Sequence, residues 1–94
     1  ITGVINDTSD GSLKENVADI TNATATVKAL KGRTFDWIAD GTSDAGFIAQ
    51  EVATVLSNAV VGETGQLAVR VDNIVAHLVT CIQELDARIT ALES

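Results

Sequence analysis

Arg70-Val71-Asp72-Asn73-Ile74-Val75-Ala76-His77-Leu78-Val79-Thr80-Cys81-Ile82-Gln83-Glu84-Leu85-Asp86-Ala87-Arg88-Ile89-Thr90-Ala91-Leu92-Glu93-Ser94 closes the chain, and its spacing governs how the rest is read. Val71, Val75, Leu78, Ile82, Leu85, Ile89 and Leu92 follow one another at alternating steps of four and three, the seam of a heptad repeat sustained over about three heptads. The spacing predicts a long helix over 70–94 with coiled-coil character. Ile at the a positions with Leu at d favours two strands by the simplest rule. Ile74, Val79 and Cys81 widen the stripe, which suits three helices or packing on the body of the domain. His77 falls at an outward c position without an Asp or Ser at catalytic spacing, and Cys81 at g reads as a small apolar filler.

Composition agrees with a core built from helices. The 94 residues are 46% hydrophobic, but aromatics make up only 3%, so Ala, Val, Ile and Leu must do most of the packing. One domain of this length is marginal alone, and partner subunits would supply further burial. Six Lys and Arg against thirteen Asp and Glu give a net charge of −7, which repels phosphate backbones and anionic lipid, so neither nucleic acid nor membrane is expected as a partner. The single Cys rules out an internal disulfide, and no Cys/His cluster suggests a metal; no cofactor is expected. The opening Ile1-Thr2-Gly3-Val4-Ile5 starts in the manner of a strand, which suggests the end piece of something longer.

Ahead of the last helix the elements alternate. Asn6-Asp7-Thr8-Ser9-Asp10-Gly11 is a cluster of turn formers and reads as a loop. Ser12 with Glu15 three residues on has the form of a capping box, and Leu13, Val17, Ile20, Thr24, Val27 and Leu30 extend an apolar stripe to Lys31-Gly32, which predicts a helix over 12–31. Arg33 to Ile38 reads as a strand with Trp37 in the core, turning at Asp40-Gly41. Gly46 to Leu56 takes helical spacing, and Ala59–Val61 and Leu67–Val69 flank the hairpin connection Gly62-Glu63-Thr64-Gly65, which lacks the Lys of a phosphate loop. Asp36, Asp40 and Asp44 do not follow a calcium-loop spacing and read as solvated loop acids. The expected fold is thus α+β, a small mixed domain ending in a long coiled-coil helix.

Ser9 and Lys14 lie five residues apart across the reversal at Asp10-Gly11. A serine hydroxyl needs a base to become a nucleophile, and a lysine serves only as the neutral amine. The positive end of a helix starting at Ser12 would disfavour the charged amine. By spacing alone, a capping loop beside a solvated lysine is the better account of the pair.

The wider string is more specific. Ser9-Asp10-Gly11-Ser12-Leu13-Lys14-Glu15-Asn16-Val17 resembles the Ser-Asp-x-Arg-Leu-Lys-x-Asn-Ile opening of the intramolecular chaperone auto-processing domains found at the ends of phage endosialidases, tail spikes and tail fibres. Phe35-Asp36-Trp37, then Gly46-Phe47-Ile48-Ala49-Gln50-Glu51-Val52, then Ile82-Gln83-Glu84-Leu85 and Leu92-Glu93 resemble later motifs of the same family, in the same order. Ser12 stands where Arg is usual, Ser57 where Pro is common and Val71 where Tyr is usual.

The resemblance implies a homotrimer held by Val71, Val75, Leu78, Ile82, Leu85, Ile89 and Leu92. It implies a C-terminal chaperone that helps its own upstream β-rich fibre fold and then releases itself as a single-turnover serine peptidase. Ser9 would be the nucleophile and Lys14 the base, with Thr8 and Asp10 flanking the cut. Residues 1–11 would be the end of the fibre and the cleavage loop, and residues 12–94 the chaperone domain, of which 70–94 form the trimerisation helix. Such a domain acts in the host cytoplasm during phage assembly and is absent from the mature virion once cleaved. The scissile bond is Thr8–Ser9, which Ser9 reaches through a five-membered ring, or Ser9–Asp10, which a neighbouring subunit's hydroxyl would reach. The alternative is a structural trimerisation domain that does not cleave.

Overall fold

A computed structural model describes residues 8–94. The run at residues 1–5 and the turn formers Asn6 and Asp7 lie outside the described residues. Among the described residues three α-helices, α1 (Ala23–Ala29), α2 (Ala49–Ala53) and α3 (Val71–Glu93), combine with two antiparallel hairpins, β1 (Arg33–Asp36) with β2 (Ser43–Gly46) and β3 (Val60–Val61) with β4 (Ala68–Val69). This is the mixed α/β domain with a long C-terminal helix that the sequence implies.

The expected helix over 12–31 is mostly absent. Ser12 does not open a capping box: its backbone N–H and its hydroxyl both donate to Asp10 Oδ1 at 2.8 Å, which closes a single 3-10 turn over Gly11–Leu13. Two asparagines then take left-handed backbone, Asn16 at φ 55° and Asn22 at φ 57°, which α-helix cannot accommodate. Only the Ala- and Thr-rich end of the stripe becomes helical, as α1.

The first hairpin also departs from expectation. β1 stops at Asp36, and β2 uses Ser43-Asp44-Ala45-Gly46, residues assigned by pattern to a loop and a helix start. Gly41 at φ 72° makes the turn, with Trp37 N–H donating to Thr42 O at 2.8 Å. Asp36 accepts from Ser43 Oγ, Asp40 from Thr42 and Asp44 from Trp37 Nε1, so these acids fasten the hairpin. Trp37 lies outside the core at 53% exposure, edge-on to Phe35 at 5.0 Å. α2 covers only the middle of its predicted range, because Ile48 is still extended and the chain leaves α2 at Thr54. The second hairpin pairs Val60 with Val69 and Val61 with Ala68, as expected from its Gly-bounded connection.

Val52 of α2, Ala59 and Ile74 of α3 form the buried centre, with Leu30, Phe47, Leu56, Val60 and Val69 packed around it. α3 therefore has two working faces. Ile74 and Cys81, one heptad apart, are buried against the body together with the flanks of Asn73, His77, Thr80 and Glu84. His77 is thus half-buried, its Nδ1 2.9 Å from Asn73 O, and does not point outward. All seven seam residues remain exposed within the subunit, from 40% for Leu78 to 87% for Leu92.

Candidate functional site

The segment from Thr8 to Asn22 forms an arm ahead of α1. Asp10 sets its geometry: as cap of the 3-10 turn its carboxylate holds Ser12, while Leu13 N–H donates to Asp10 O at 3.0 Å and Lys14 N–H to Gly11 O at 3.1 Å. The bonds from the Ser12 backbone and side chain hold the Asp10 carboxyl below its ordinary range. This turn folds the chain back so that Lys14 Nζ donates to Ser9 Oγ at 2.5 Å. The hydroxyl and the amine predicted to act together therefore touch. The reverse donation, from the hydroxyl to a neutral amine, is the geometry a general base requires.

The physical setting differs from the one expected. Lys14 lies in extended backbone at the end of the 3-10 turn, and the first α-helix begins nine residues later at Ala23, so Lys14 is not in the first turn of an α-helix. Thr8, Ser9, Asp10 and Lys14 are all exposed, as are the apolar Leu13 and Val17 at 71% and 83%. Within the subunit, the described residues leave the Ser9–Lys14 pair open to water.

The other predicted site residues, Val71 through Leu92, stand on α3 away from its body-facing stripe, in one row that the subunit leaves uncovered. Among the described residues no group of three or more His, Cys, Asp or Glu side chains is placed to hold a metal ion. No helix among them is long and apolar enough to cross a membrane.

Two carboxylates that pattern reading passed over organise the domain. Glu51 receives Arg33 in a two-pronged pair, Nε to Oε1 at 3.0 Å and Nη2 to Oε2 at 2.7 Å, tying β1 to α2. Glu84 of α3 receives the backbone N–H groups of Ala23 and Thr24 and the Thr24 hydroxyl. Glu51 lies in the Gly-Phe-Ile-Ala-Gln-Glu-Val motif and Glu84 in Ile-Gln-Glu-Leu, which was the available signal. Neither spacing reveals the distant partner.

No curated protein matches the chain. A family model does, over residues 9–61, from the serine of the arm to the end of β3 and thus across more than half of the 94 residues. With the motifs in order, the serine and lysine in contact and the mixed fold in place, the chain belongs to the family described as chaperone of endosialidase.

Proposed function

We propose that this domain promotes trimeric folding of the β-rich phage fibre ahead of it and then releases itself through one cut, with Ser9 as nucleophile and Lys14 as base. The observation that carries the reading is the 2.5 Å contact between Lys14 Nζ and Ser9 Oγ on a turn built for it, within a chaperone family. The exposed seam of α3 supports assembly with two further copies, because soluble monomers rarely leave a long contiguous apolar row uncovered. Assembly would also supply the missing exclusion of water. The domain would work in the host cytoplasm during virion assembly and be lost from the finished particle, and it needs no cofactor, nucleic acid or membrane.

In the reaction, Lys14 takes the hydroxyl proton as Oγ attacks the carbonyl carbon of the scissile bond, and the same proton passes to the departing amine as the peptide bond breaks. Water then cleaves the ester. Attack on the Thr8 carbonyl sheds the first eight residues, and attack by a neighbouring subunit's serine on the Ser9 carbonyl sheds nine.

Exposure of both dyad members is the observation that favours the second reading, a trimerisation domain that does not cut. Intact mass of the purified chain separates the two. Loss of eight or nine residues, abolished in Ser9→Ala and in Lys14→Arg while both variants still assemble, is the expected result; guanidinium cannot give up its charge to serve as base. Normal processing of either variant would remove that residue from the mechanism.

A further inference from the structure

The arm that carries Ser9 and Lys14 is exposed from Thr8 to Asp19, so something must fix where it leaves the domain. Its root supplies the answer. Ile20 is half-buried, Ala23 is completely buried, and Asp19 and Ile20 line a depression with Thr80, Gln83, Glu84 and Ala87 of α3. At the centre, Glu84 Oε2 accepts from Ala23 N–H at 3.0 Å, and Oε1 accepts from Thr24 N–H at 2.8 Å and from Thr24 Oγ1 at 2.6 Å. α1 depends on this outside cap, since Asn22 in its left-handed conformation offers its own helix no side-chain bond. The carboxylate thus joins two segments 60 residues apart in sequence at the point where the arm turns into α1.

Glu84 occupies the body-facing stripe of α3, one residue before Leu85 of the exposed seam. Fixing the arm to this stripe fixes it relative to whatever packs on the seam.

We infer that Glu84 is a positioning residue for self-cleavage, pinning the root of the arm to α3 so that the helix which assembles the subunits also sets where Ser9 and Lys14 come to rest. The inference rests on the self-cleavage reading above. A 1 Å displacement of reacting groups is enough to slow a reaction by about a hundredfold, so a loosened root acts on rate without touching the reacting atoms.

The test follows processing of the full chain by gel, assembly by light scattering, and hydrogen exchange at the Ala23 and Thr24 amides. Glu84→Ala removes both acceptor oxygens, and with them all three bonds, and should slow cutting by about ten- to a hundredfold while the assembly persists. Glu84→Gln keeps a carbonyl oxygen and should recover part of both the rate and the amide protection; it serves the same comparison should Glu84→Ala fail to fold. Glu51→Gln, which breaks the Arg33 pair between β1 and α2, controls for general loosening and should cut at the wild-type rate below its melting temperature. Wild-type cutting rates in both Glu84 variants, or equal slowing in Glu51→Gln, overturns the inference alone. A wild-type chain that never cuts overturns the self-cleavage reading and the inference with it.

Discussion

Asp10, Asp40, Glu51 and Glu84 each hold donors that the backbone or a neighbouring side chain would otherwise leave to water. The Ser12 backbone and hydroxyl do this at Asp10, the Thr42 backbone and hydroxyl at Asp40, the Arg33 guanidinium at Glu51, and the Thr24 hydroxyl with the Thr24 and Ala23 amides at Glu84. In every case the bonds favour the ionised form and lower the pKa. The unfolded chain therefore binds protons at a pH where the folded one does not, and stability rises with pH across that window. The four contributions are complete above the ordinary carboxylate values, about 3.9 for Asp and 4.3 for Glu, and are lost as pH falls through the lowered folded values. Melting temperature should change little from about pH 7 to 5 and fall below about pH 4, with a shallower fall in Glu51→Gln. An acid limb equally steep in that variant would show that Glu51 does not contribute. The caps of Asp10 and Asp40 were within reach of sequence reading, because their donors lie two residues away. Glu84 was not, because its donors lie 60 and 61 residues away and nothing on α3 marks that residue as a cap.

At the scale of elements, pattern reading succeeded where one face of a segment meets one environment. α3 and the second hairpin satisfy that condition and appear nearly where expected. β2 does not: Ser-Asp-Ala-Gly has almost no strand propensity and exists because β1 pairs with it. The stripe over 12–31 failed for the opposite reason, since two asparagines in left-handed backbone interrupt a period that composition alone allows. The second hairpin gives a sharp test of backbone requirement. Gly62 sits at φ 97°, where a Cβ would meet Gln66 O at 2.8 Å, whereas Gly65 at φ 91° has open space around it. Gly65→Ala carries only the cost of a strained conformation, about 1–3 kcal/mol. Gly62→Ala adds a collision with backbone that cannot swing aside, so it should destabilise the domain more than Gly65→Ala in denaturant unfolding. Equal losses would show that the turn relaxes freely.

At the scale of the whole molecule, α3 carries one buried face and one exposed seam, and one substitution on each face tests the proposal that the first serves folding and the second assembly. Ile74 is 2% exposed in the central cluster, so Ile74→Ala opens a cavity costing about 2–5 kcal/mol within each subunit. Leu85, at a d position in the middle of the seam, is 41% exposed in the subunit. Were it only a surface residue, Leu85→Asp would shift stability by no more than about 0.5 kcal/mol. In a trimer joined along the seam the same change sets three carboxylates together in an apolar core, where unpaired charge costs several kcal/mol. The expected outcome is a folded single subunit that has lost assembly. It should also have lost cleavage, although residue 85 is far from Ser9 in the chain, because the exposed arm then has no neighbouring subunit to exclude water from Ser9 and Lys14. Light scattering reads the assembly, circular dichroism the fold, and a gel of the precursor the cut. A folded Leu85→Asp monomer that still cuts at the wild-type rate would show that the dyad is complete within one subunit and that release does not wait for assembly.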